Sequence, residues 1–211
     1  MILYPSIASG NVLNLQDSLE KTKNWPYLHI DIEDGNFVPN ITFGMKTVRA
    51  ICAAARGRII DVHMMVTDPV SYLEALAECG VTSVNAHIEA LDYPMVFLNR
   101  ARSLGMKAGL ALNMKTPVSQ TEIFWPVMDS LLLMTSEPDG GAENLYESAY
   151  RRVLEAAELL PDSVRLMVDG GIKADKLAGL SSAGVSSVVL GREVFSAERP
   201  YERLLSLNDL I

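Results

Sequence analysis

Eight short apolar runs alternate with eight longer amphipathic runs along this chain, and this order restricts the possible folds more than any other feature. The apolar runs have the length of β-strands and occupy residues 2–8, 27–33, 58–65, 82–88, 107–113, 130–135, 164–169 and 186–190. The runs between them carry apolar residues at helical spacing, at residues 14–23, 45–55, 69–79, 93–104, 118–125, 145–159, 174–183 and 199–207. Because parallel strands need crossover connections, the alternation predicts a parallel α/β sheet. Eight units predict a closed (β/α)8 TIM barrel, with a doubly wound open sheet as the alternative.

The length and composition are those of a single folded domain. The chain has 211 residues, of which 49% are hydrophobic, and this is enough for a full core. No linker and no change in composition marks a second unit, so we assign residues 1–211 to one domain. The net charge of −8 argues against nucleic acid as a partner, because a phosphate backbone requires a basic face. A small phosphorylated substrate is compatible, since backbone N–H groups can bind it locally.

The cysteines and the N-terminus predict a cytoplasmic location. Cys52 and Cys79 lie in helix-like segments without a paired motif, so a disulfide framework is not expected and a reducing compartment fits best. The first residues form no basic segment followed by a long apolar one, as a signal peptide would. No stretch of about 18 apolar residues suggests a membrane span, so no membrane partner is expected.

Polar side chains stand near the ends of the apolar strand runs, where a TIM barrel has its active site. All three histidines, His29, His63 and His87, lie there, and Asp169 ends the seventh run. Side chains alternate across a strand, so His29 shares a face with Asp31, and apolar neighbours take the other face. Asp61 shares a face with His63 in the same way, and Ser6 and Asn113 end strands one and five. We therefore expect the polar residues to point into the barrel near its open end.

Four of these groups form a candidate metal site: His29, Asp31, His63 and Asp169. Two imidazoles and two carboxylates suit one divalent ion, with Zn²⁺ first and Fe²⁺, Mn²⁺ or Co²⁺ as alternatives. The other interpretation makes each group a separate, hydrogen-bonded barrel residue. Buried carboxylates are costly unless they are paired or bound to metal, which favours the metal interpretation.

Asp31 and Asp169 also form a candidate acid–base pair. Strands two and seven lie on opposite sides of an eight-stranded barrel, so the two carboxylates can face a substrate from both sides. One of them can take a proton from one face while the other returns a proton to the opposite face. The alternative is that both aspartates only bind metal.

A phosphate site is expected at the loops that follow strands seven and eight. Gly170 and Gly171 permit close backbone approach, and Gly191 with Arg192 follows strand eight. An ordinary glycine turn is the alternative. Arg192 could contact the phosphate directly, pair with an acid of the strand-six loop (Glu137 or Asp139), or stand on the surface without a partner. The loop at residues 135–142 could be a mobile lid or a solvated connection.

These residues resemble those of the ribulose-phosphate 3-epimerase family, from strand one to strand eight. The resemblance is carried by Pro5-Ser6-Ile7, His29-Ile30-Asp31, residues 34–44, Asp61-Val62-His63-Met64-Met65, residues 107–113 and Val168-Asp169-Gly170-Gly171-Ile172. It implies a TIM-barrel isomerase, a ketose-phosphate 3-epimerase, with one divalent metal on His29, Asp31, His63 and Asp169 and the two aspartates as acid and base. It also implies a homo-oligomer. The residues it implies for substrate binding are Ser6, Met65, Met134, Gly140, Gly141, Gly170, Gly171, Gly191 and Arg192.

Three departures from the family pattern concern the choice of substrate. Glu33 stands where the family usually has methionine, on the same face as Asp31. The strand-six loop, usually Pro-Gly-Phe-Gly-Gly-Gln, reads Glu-Pro-Asp-Gly-Gly-Ala at residues 137–142. Arg192 replaces a small polar residue. The leading interpretation is interconversion of D-ribulose 5-phosphate and D-xylulose 5-phosphate through an enediolate, with another ketose phosphate such as a hexulose 6-phosphate as the alternative.

Two other classes of protein fit less well. A Schiff-base aldolase needs a lysine within an apolar strand, but Lys107 begins its strand and Lys115 lies beyond one. Related barrel decarboxylases carry Asp-x-Lys on strand two, where this chain has Asp31-Ile32-Glu33. A non-catalytic sugar-phosphate sensor would not need two aspartates and a complete set of metal ligands.

Overall fold

The computed structural model of the protein describes residues 1–138 and 147–211, and these contain eight parallel strands and eight α-helices. An α-helix follows every strand except β5, which is followed by a 3-10 segment, and two α-helices follow β8. The strands are β1 (Ile2–Pro5), β2 (Tyr27–Glu33), β3 (Ile59–Met65), β4 (Ser83–His87), β5 (Lys107–Leu112), β6 (Ser130–Met134), β7 (Arg165–Asp169) and β8 (Ser187–Leu190). The α-helices are α1 (Leu15–Lys21), α2 (Met45–Ala54), α3 (Leu73–Glu78), α4 (Pro94–Ser103), α5 (Glu147–Leu159), α6 (Ala174–Ser182), α7 (Arg192–Phe195) and α8 (Pro200–Asn208).

The strands form one sheet whose two ends meet. Their order is β1-β8-β7-β6-β5-β4-β3-β2, and every ladder within it is parallel. β1 and β2 approach each other at the two ends of this order, where Ser6 and His29 form a single parallel bridge. The predicted (β/α)8 barrel is thus confirmed, and the open doubly wound sheet is wrong.

The strand register agrees with the alternation expected from the sequence. Asp31 lies opposite His63, and His29 lies opposite Asp61. The outward residues of β2 and β3 belong to the main core between the sheet and the helices: Leu28, Ile30, Ile32, Ile60 and Val62. A smaller apolar cluster fills the barrel itself: Tyr4, Ala111, Leu132, Met134, Met167 and Val189. The inner face of β2 and β3 is therefore free to carry polar side chains, while the outer face holds the helices.

Two predicted helices have a different form. The run expected at 118–125 is a 3-10 segment, Val118–Val127, and Pro126 inside it lacks the N–H that an α-helix would use. The run expected at 69–79 begins as the 3-10 segment Pro69–Tyr72 and becomes α3 only afterwards. A further 3-10 segment, Ile7–Ser9, ends the first strand earlier than the apolar run suggested.

The structure also bears on the expectations for the cysteines, for membrane spans and for the loop after β6. Cys52 and Cys79 are both free thiols. Among the described residues, no helix is both long and apolar enough to cross a membrane. The predicted contact residues Gly140 and Gly141 lie outside the described residues, as does Asp139.

Candidate metal centre and active site

His29, Asp31, His63 and Asp169 converge at the carboxyl ends of β2, β3 and β7. One ligand atom from each residue lies within 4.8 Å of the others. Nδ1 of His63 lies 3.3 Å from Oδ1 of Asp31 and 3.3 Å from Oδ2 of Asp169, and Nε2 of His29 lies 3.2 Å from Oδ1 of Asp31. Four converging nitrogen and oxygen donors, mostly buried, suit one divalent transition-metal ion.

The electrostatics of this cluster also favour a cation. Burial by itself would lower the pKa of His29, but the charge and hydrogen bond of Asp31 outweigh it and raise that pKa well above its usual value. Burial likewise opposes the charged form of His63, yet hydrogen bonds to Asp169 and Asp31 raise its pKa to about 9. Burial would raise the pKa of Asp31, but the two imidazoles hold it well below its usual range. The carboxylates of the cluster therefore stabilise a positive charge placed between them.

Asp31 is held by two hydroxyl groups, one from Ser6 directly after β1 and one from Thr42 in the loop after β2. The hydroxyl of Ser6 donates a short hydrogen bond to Oδ2 of Asp31, which leaves Oδ1 directed at the two imidazoles. The hydroxyl of Thr42 donates to the backbone carbonyl of Asp31 at 2.7 Å. The structure therefore places Ser6 beside Asp31, in a position to orient its carboxylate.

Beneath the cluster, a buried polar group supports His29. Nδ1 of His29 lies 2.9 Å from Oδ2 of Asp61, although the contact falls short of a well-angled hydrogen bond. Asp61 accepts a hydrogen bond from the Ser83 hydroxyl and one from Nδ2 of Asn85 at 3.0 Å. Asn85 in turn accepts one from the Ser130 hydroxyl at 2.7 Å. Nδ1 of His29 thus faces the carboxylate of Asp61, which hydrogen bonds hold in place. The other ring nitrogen, Nε2, therefore faces the cluster.

Gly109 leaves the space that this buried network needs. A Cβ at Gly109 would lie 2.1 Å from Oδ1 of Asn85 and 2.2 Å from Oγ of Ser130. We expect Gly109→Ala to lower the free energy of unfolding by about 1–3 kcal/mol, the usual cost of overpacking a core. Urea denaturation would measure this loss. Gly44→Ala is the matched control because a Cβ there meets nothing within 4 Å; equal losses in the two variants would contradict the packing argument.

His63 has a second neighbour on its other ring nitrogen. Nε2 of His63 lies 2.8 Å from Nε2 of His87, and Nδ1 of His87 lies 3.2 Å from Oε2 of Glu89. Burial lowers the pKa of His87 to about 4, so this ring is neutral near pH 7. The sequence placed all three histidines near the ends of apolar strand runs, but it indicated no partner for His87.

A cavity of about 720 Å³ opens above the cluster. It is lined by both aspartates and by every described residue that the resemblance implied for substrate binding: Ser6, Met65, Met134, Gly170, Gly171, Gly191 and Arg192. Sequence reasoning missed Lys173, Ser9 and Ser136, which line the same cavity. A lysine two residues after a glycine pair at the predicted phosphate loop was the signal that could have identified Lys173.

The glycines at one end of this cavity are required by the backbone. Gly170 and Gly171 have φ values of +116° and +64°, which L side chains rarely adopt. A Cβ at Gly191 would lie 2.2 Å from Oγ of Ser9. The chain therefore passes close to the loops after β1 and β6 at this end, and its backbone borders the open space.

Two of the residues that depart from the family pattern, Glu33 and Arg192, line the cavity and carry charged side chains. Glu33 is buried, and its Oε2 accepts a hydrogen bond of 2.9 Å from Nδ2 of Asn40. Arg192 is exposed, and no carboxylate of residues 1–138 or 147–211 lies within ion-pair distance of its guanidinium. The pairing of Arg192 with Glu137 considered from the sequence is thus not formed.

Comparison with known proteins relates the sequence of this chain to a family of enzymes. A model described as the ribulose-phosphate 3 epimerase family matches residues 2–195. The ribulose-phosphate 3-epimerase of Mycobacterium leprae is 31% identical over 213 residues, covering 98% of this chain and 93% of that protein. The protein of the same name from Schizosaccharomyces pombe is 30% identical, covering 99% and 93% respectively.

Solved structures extend the likeness to the fold. The 3-hexulose-6-phosphate synthase from Salmonella typhimurium superposes with a TM-score of 0.78 at 12% identity, covering 100% of this chain and 98% of that one. KGPDC from Streptococcus mutans superposes with a TM-score of 0.74 at 16% identity, covering 99% and 96%. At such identities the likeness concerns the barrel alone, so the sequence relatives carry the functional comparison.

Proposed function

The chain belongs to the ribulose-phosphate 3-epimerase family, and we propose that it interconverts D-ribulose 5-phosphate and D-xylulose 5-phosphate by moving the proton on C3. The observation that carries this proposal is the position of Asp31 and Asp169. Their carboxylates come from β2 and β7, converge on one cluster and line one cavity. A pair of carboxylates that can reach a substrate from two sides is what inversion at one carbon requires.

The proposed reaction has two proton transfers. One aspartate takes the C3 proton from one face, and the electrons of the broken C–H bond move toward the C2 carbonyl oxygen to give an enediolate. The other aspartate, in its protonated form, returns a proton to the opposite face of C3, and the carbonyl re-forms. Ser6 holds Asp31 in place through its hydrogen bond. A divalent cation bound by His29, Asp31, His63 and Asp169 would supply Lewis-acid polarisation of the carbonyl.

The metal-binding role is supported by the donor set. Imidazole and carboxylate donors fit Zn²⁺ first, with Fe²⁺, Mn²⁺ or Co²⁺ as alternatives. Each histidine turns one nitrogen toward the cluster and the other toward a buried polar partner, as metal-bound histidines usually do. We also propose, from the family resemblance, that the protein forms a homo-oligomer.

The phosphate of the substrate is proposed to bind at the glycine end of the cavity. Gly170, Gly171 and Gly191 bring the backbone close to the open space there, and Lys173 and Arg192 add two positive charges. TIM barrels commonly bind phosphate at the loops after strands seven and eight. A phosphate at this end would leave the sugar carbons beside the two aspartates.

Another ketose phosphate, such as a hexulose 6-phosphate, is the second candidate, and Glu33 is the observation that favours it. This buried carboxylate borders the cavity near Asp31, where it can accept hydrogen bonds from sugar hydroxyls. A lyase of the Schiff-base class is disfavoured, because Lys173 is the one lysine among the described residues that line the cavity, and it lies beyond its strand at the phosphate end.

Proton NMR in D₂O tests the proposed function directly. The enzyme would be incubated with a panel of pentulose 5-phosphates and hexulose 6-phosphates, and loss of the C3 proton signal would be followed together with appearance of the 3-epimer. We expect exchange and epimerisation to be fastest with D-ribulose 5-phosphate. Faster turnover of a hexulose 6-phosphate would establish the second candidate, and exchange with no member of the panel would refute both.

Arg192→Ala is expected to raise KM for the phosphorylated sugar by about 10- to 100-fold, the effect of losing one hydrogen bond to a charged group. The reason is that Arg192 lines the phosphate end of the cavity without an ion-pair partner among the described residues. Steady-state kinetics would measure the change, with Arg151→Ala on α5 as an exposed control. Weak turnover of the unphosphorylated sugar should stay nearly unchanged; an equal effect on both sugars would remove Arg192 from phosphate binding.

A further inference from the structure

A line of contacts leads from the proposed metal centre to the loop after β5. It begins at His63, whose Nδ1 faces Asp31 and Asp169 while its Nε2 contacts Nε2 of His87 at 2.8 Å. It continues from Nδ1 of His87 to Oε2 of Glu89 at 3.2 Å. His87 and Glu89 do not line the cavity that holds Asp31 and Asp169, so a role for them must act through His63.

The direction of hydrogen bonding along this line is fixed at Glu89. Its Oε1 accepts a hydrogen bond of 2.9 Å from the backbone N–H of Asn113 and a short one from the hydroxyl of Thr116. An ionised carboxylate can only accept, so Nδ1 of His87 must carry a proton and donate it to Oε2. The His87 ring is fully buried and stacked on His63, where a second positive charge would be costly. The ring is therefore neutral, and its unprotonated Nε2 acts as an acceptor.

Because Nε2 of His87 is an acceptor, the position of the proton on His63 follows. Two unprotonated nitrogens cannot share a 2.8 Å contact, so Nε2 of His63 must carry the proton and donate to His87. We propose that His87 and Glu89 are positioning residues that fix the Nε2–H tautomer of His63 and so leave its Nδ1 lone pair free for a divalent cation. This inference rests on the metal-binding role proposed above for His63.

Within residues 1–138 and 147–211, the ring nitrogens of His87 have hydrogen-bond contacts with His63 and Glu89 alone. The ring is fully buried, so water does not compete for its nitrogens. It stacks on His63 with ring centroids 4.9 Å apart and an interplanar angle of 29°. The ring of Phe37 packs against it at a tilt of 43°, also with centroids 4.9 Å apart. Packing of this kind fixes the ring plane, so the choice of tautomer is made by Glu89.

Glu89→Gln is the sharpest test, because it keeps the size of the side chain and changes only its hydrogen bonding. The Asn113 N–H and the Thr116 hydroxyl will hold the amide oxygen, which turns the amide NH₂ toward Nδ1 of His87. His87 must then carry its proton on Nε2, and His63 must carry its own on Nδ1, where it blocks coordination. We expect the affinity for Zn²⁺, measured by competition with a chromophoric chelator, to fall by about 10- to 100-fold.

The tautomers can be read independently of activity and of metal affinity. Long-range ¹⁵N–¹H spectra of the imidazole rings contain only three histidine systems in this chain. In the wild type, the His87 proton should be on Nδ1 with and without Zn²⁺. In metal-free Glu89→Gln, recorded above pH 9 where His63 is neutral, it should move to Nε2. Glu122→Gln, an exposed substitution of the same kind, should leave both the spectra and the Zn²⁺ affinity unchanged.

A double-mutant cycle separates this role from a general loss of packing. If Glu89 acts through His87, Glu89→Gln should weaken Zn²⁺ binding no further in a His87→Phe background. Additive losses, or an unchanged Zn²⁺ affinity in Glu89→Gln, would overturn the inference. A wild-type protein that binds no Zn²⁺ would instead refute the metal centre itself, while the spectra of the metal-free protein would still report whether Glu89 sets the tautomer of His87.

Discussion

Asp169→Asn and Asp31→Asn are each expected to reduce the turnover of epimerisation by several orders of magnitude. General acid–base catalysis contributes roughly 10²–10⁴ to a rate, and an asparagine can neither take nor return the C3 proton. The other carboxylates among the described residues that line the cavity are Glu33, Glu137 and Glu193, and none of them belongs to the cluster around His29 and His63. Glu33 lies further along β2, where it accepts a hydrogen bond from Asn40. Metal content must be measured beside turnover, because both aspartates are also candidate ligands.

Isotope exchange distinguishes the two aspartates from each other. If each serves one face of the substrate, a variant that retains one aspartate should still exchange the C3 proton of one epimer with D₂O without forming the other epimer. The two variants should then act on opposite epimers. Asp162→Asn, on an exposed loop, is the control and should epimerise normally. Normal epimerisation by either active-site variant would exclude the two-base mechanism.

His63→Ala is expected to abolish tight metal binding. Taking structural zinc sites as a guide, a binding free energy of roughly 10–16 kcal/mol spread over four ligands gives about 2.5–4 kcal/mol per ligand. One lost ligand therefore lowers affinity by about 10²–10³-fold. The wild type purified without chelator should hold about one ion per chain, by the single-site estimate, and His63→Ala should lose it on dialysis. Unchanged metal content in an active His63→Ala variant would remove His63 from the site.

The pH dependence of metal binding follows from the same imidazole. Its carboxylate neighbours raise the pKa of His63 to about 9, so the metal-free site is protonated below that pH. A proton on Nδ1 competes with the cation, and metal affinity should therefore fall as the pH is lowered from about 9 toward 6. Calorimetry in buffers of different ionisation enthalpy would count the protons released. Affinity that does not change with pH over this range would contradict the arrangement.

The sequence could predict the features that depend on side-chain alternation along a strand and on the order of the strands. Alternation along β2 and β3 placed His29 and Asp31 on the inner face, and the number of strands placed Asp169 across from them. Contacts that depend on loop paths could not be predicted in this way. Glu89 meets the Asn113 N–H only because the chain turns back after β5, and the 3-10 form of Val118–Val127 depends on a proline inside an otherwise helical pattern.

The closure of the barrel between β1 and β2 lies beside the proposed metal centre. Among the described residues, these two strands are joined through one bridge, between Ser6 and His29, whereas the other neighbours share longer ladders. The same two residues touch the carboxylate of Asp31, one of the two proposed acid–base groups. Local opening of this join must therefore disrupt the centre, and any ligand that binds only the closed form stabilises it by mass action. Amide hydrogens near residues 6 and 29 should accordingly exchange with solvent more slowly when a metal ion occupies the centre. Their exchange rates would then report the occupancy of the centre without a spectroscopic label.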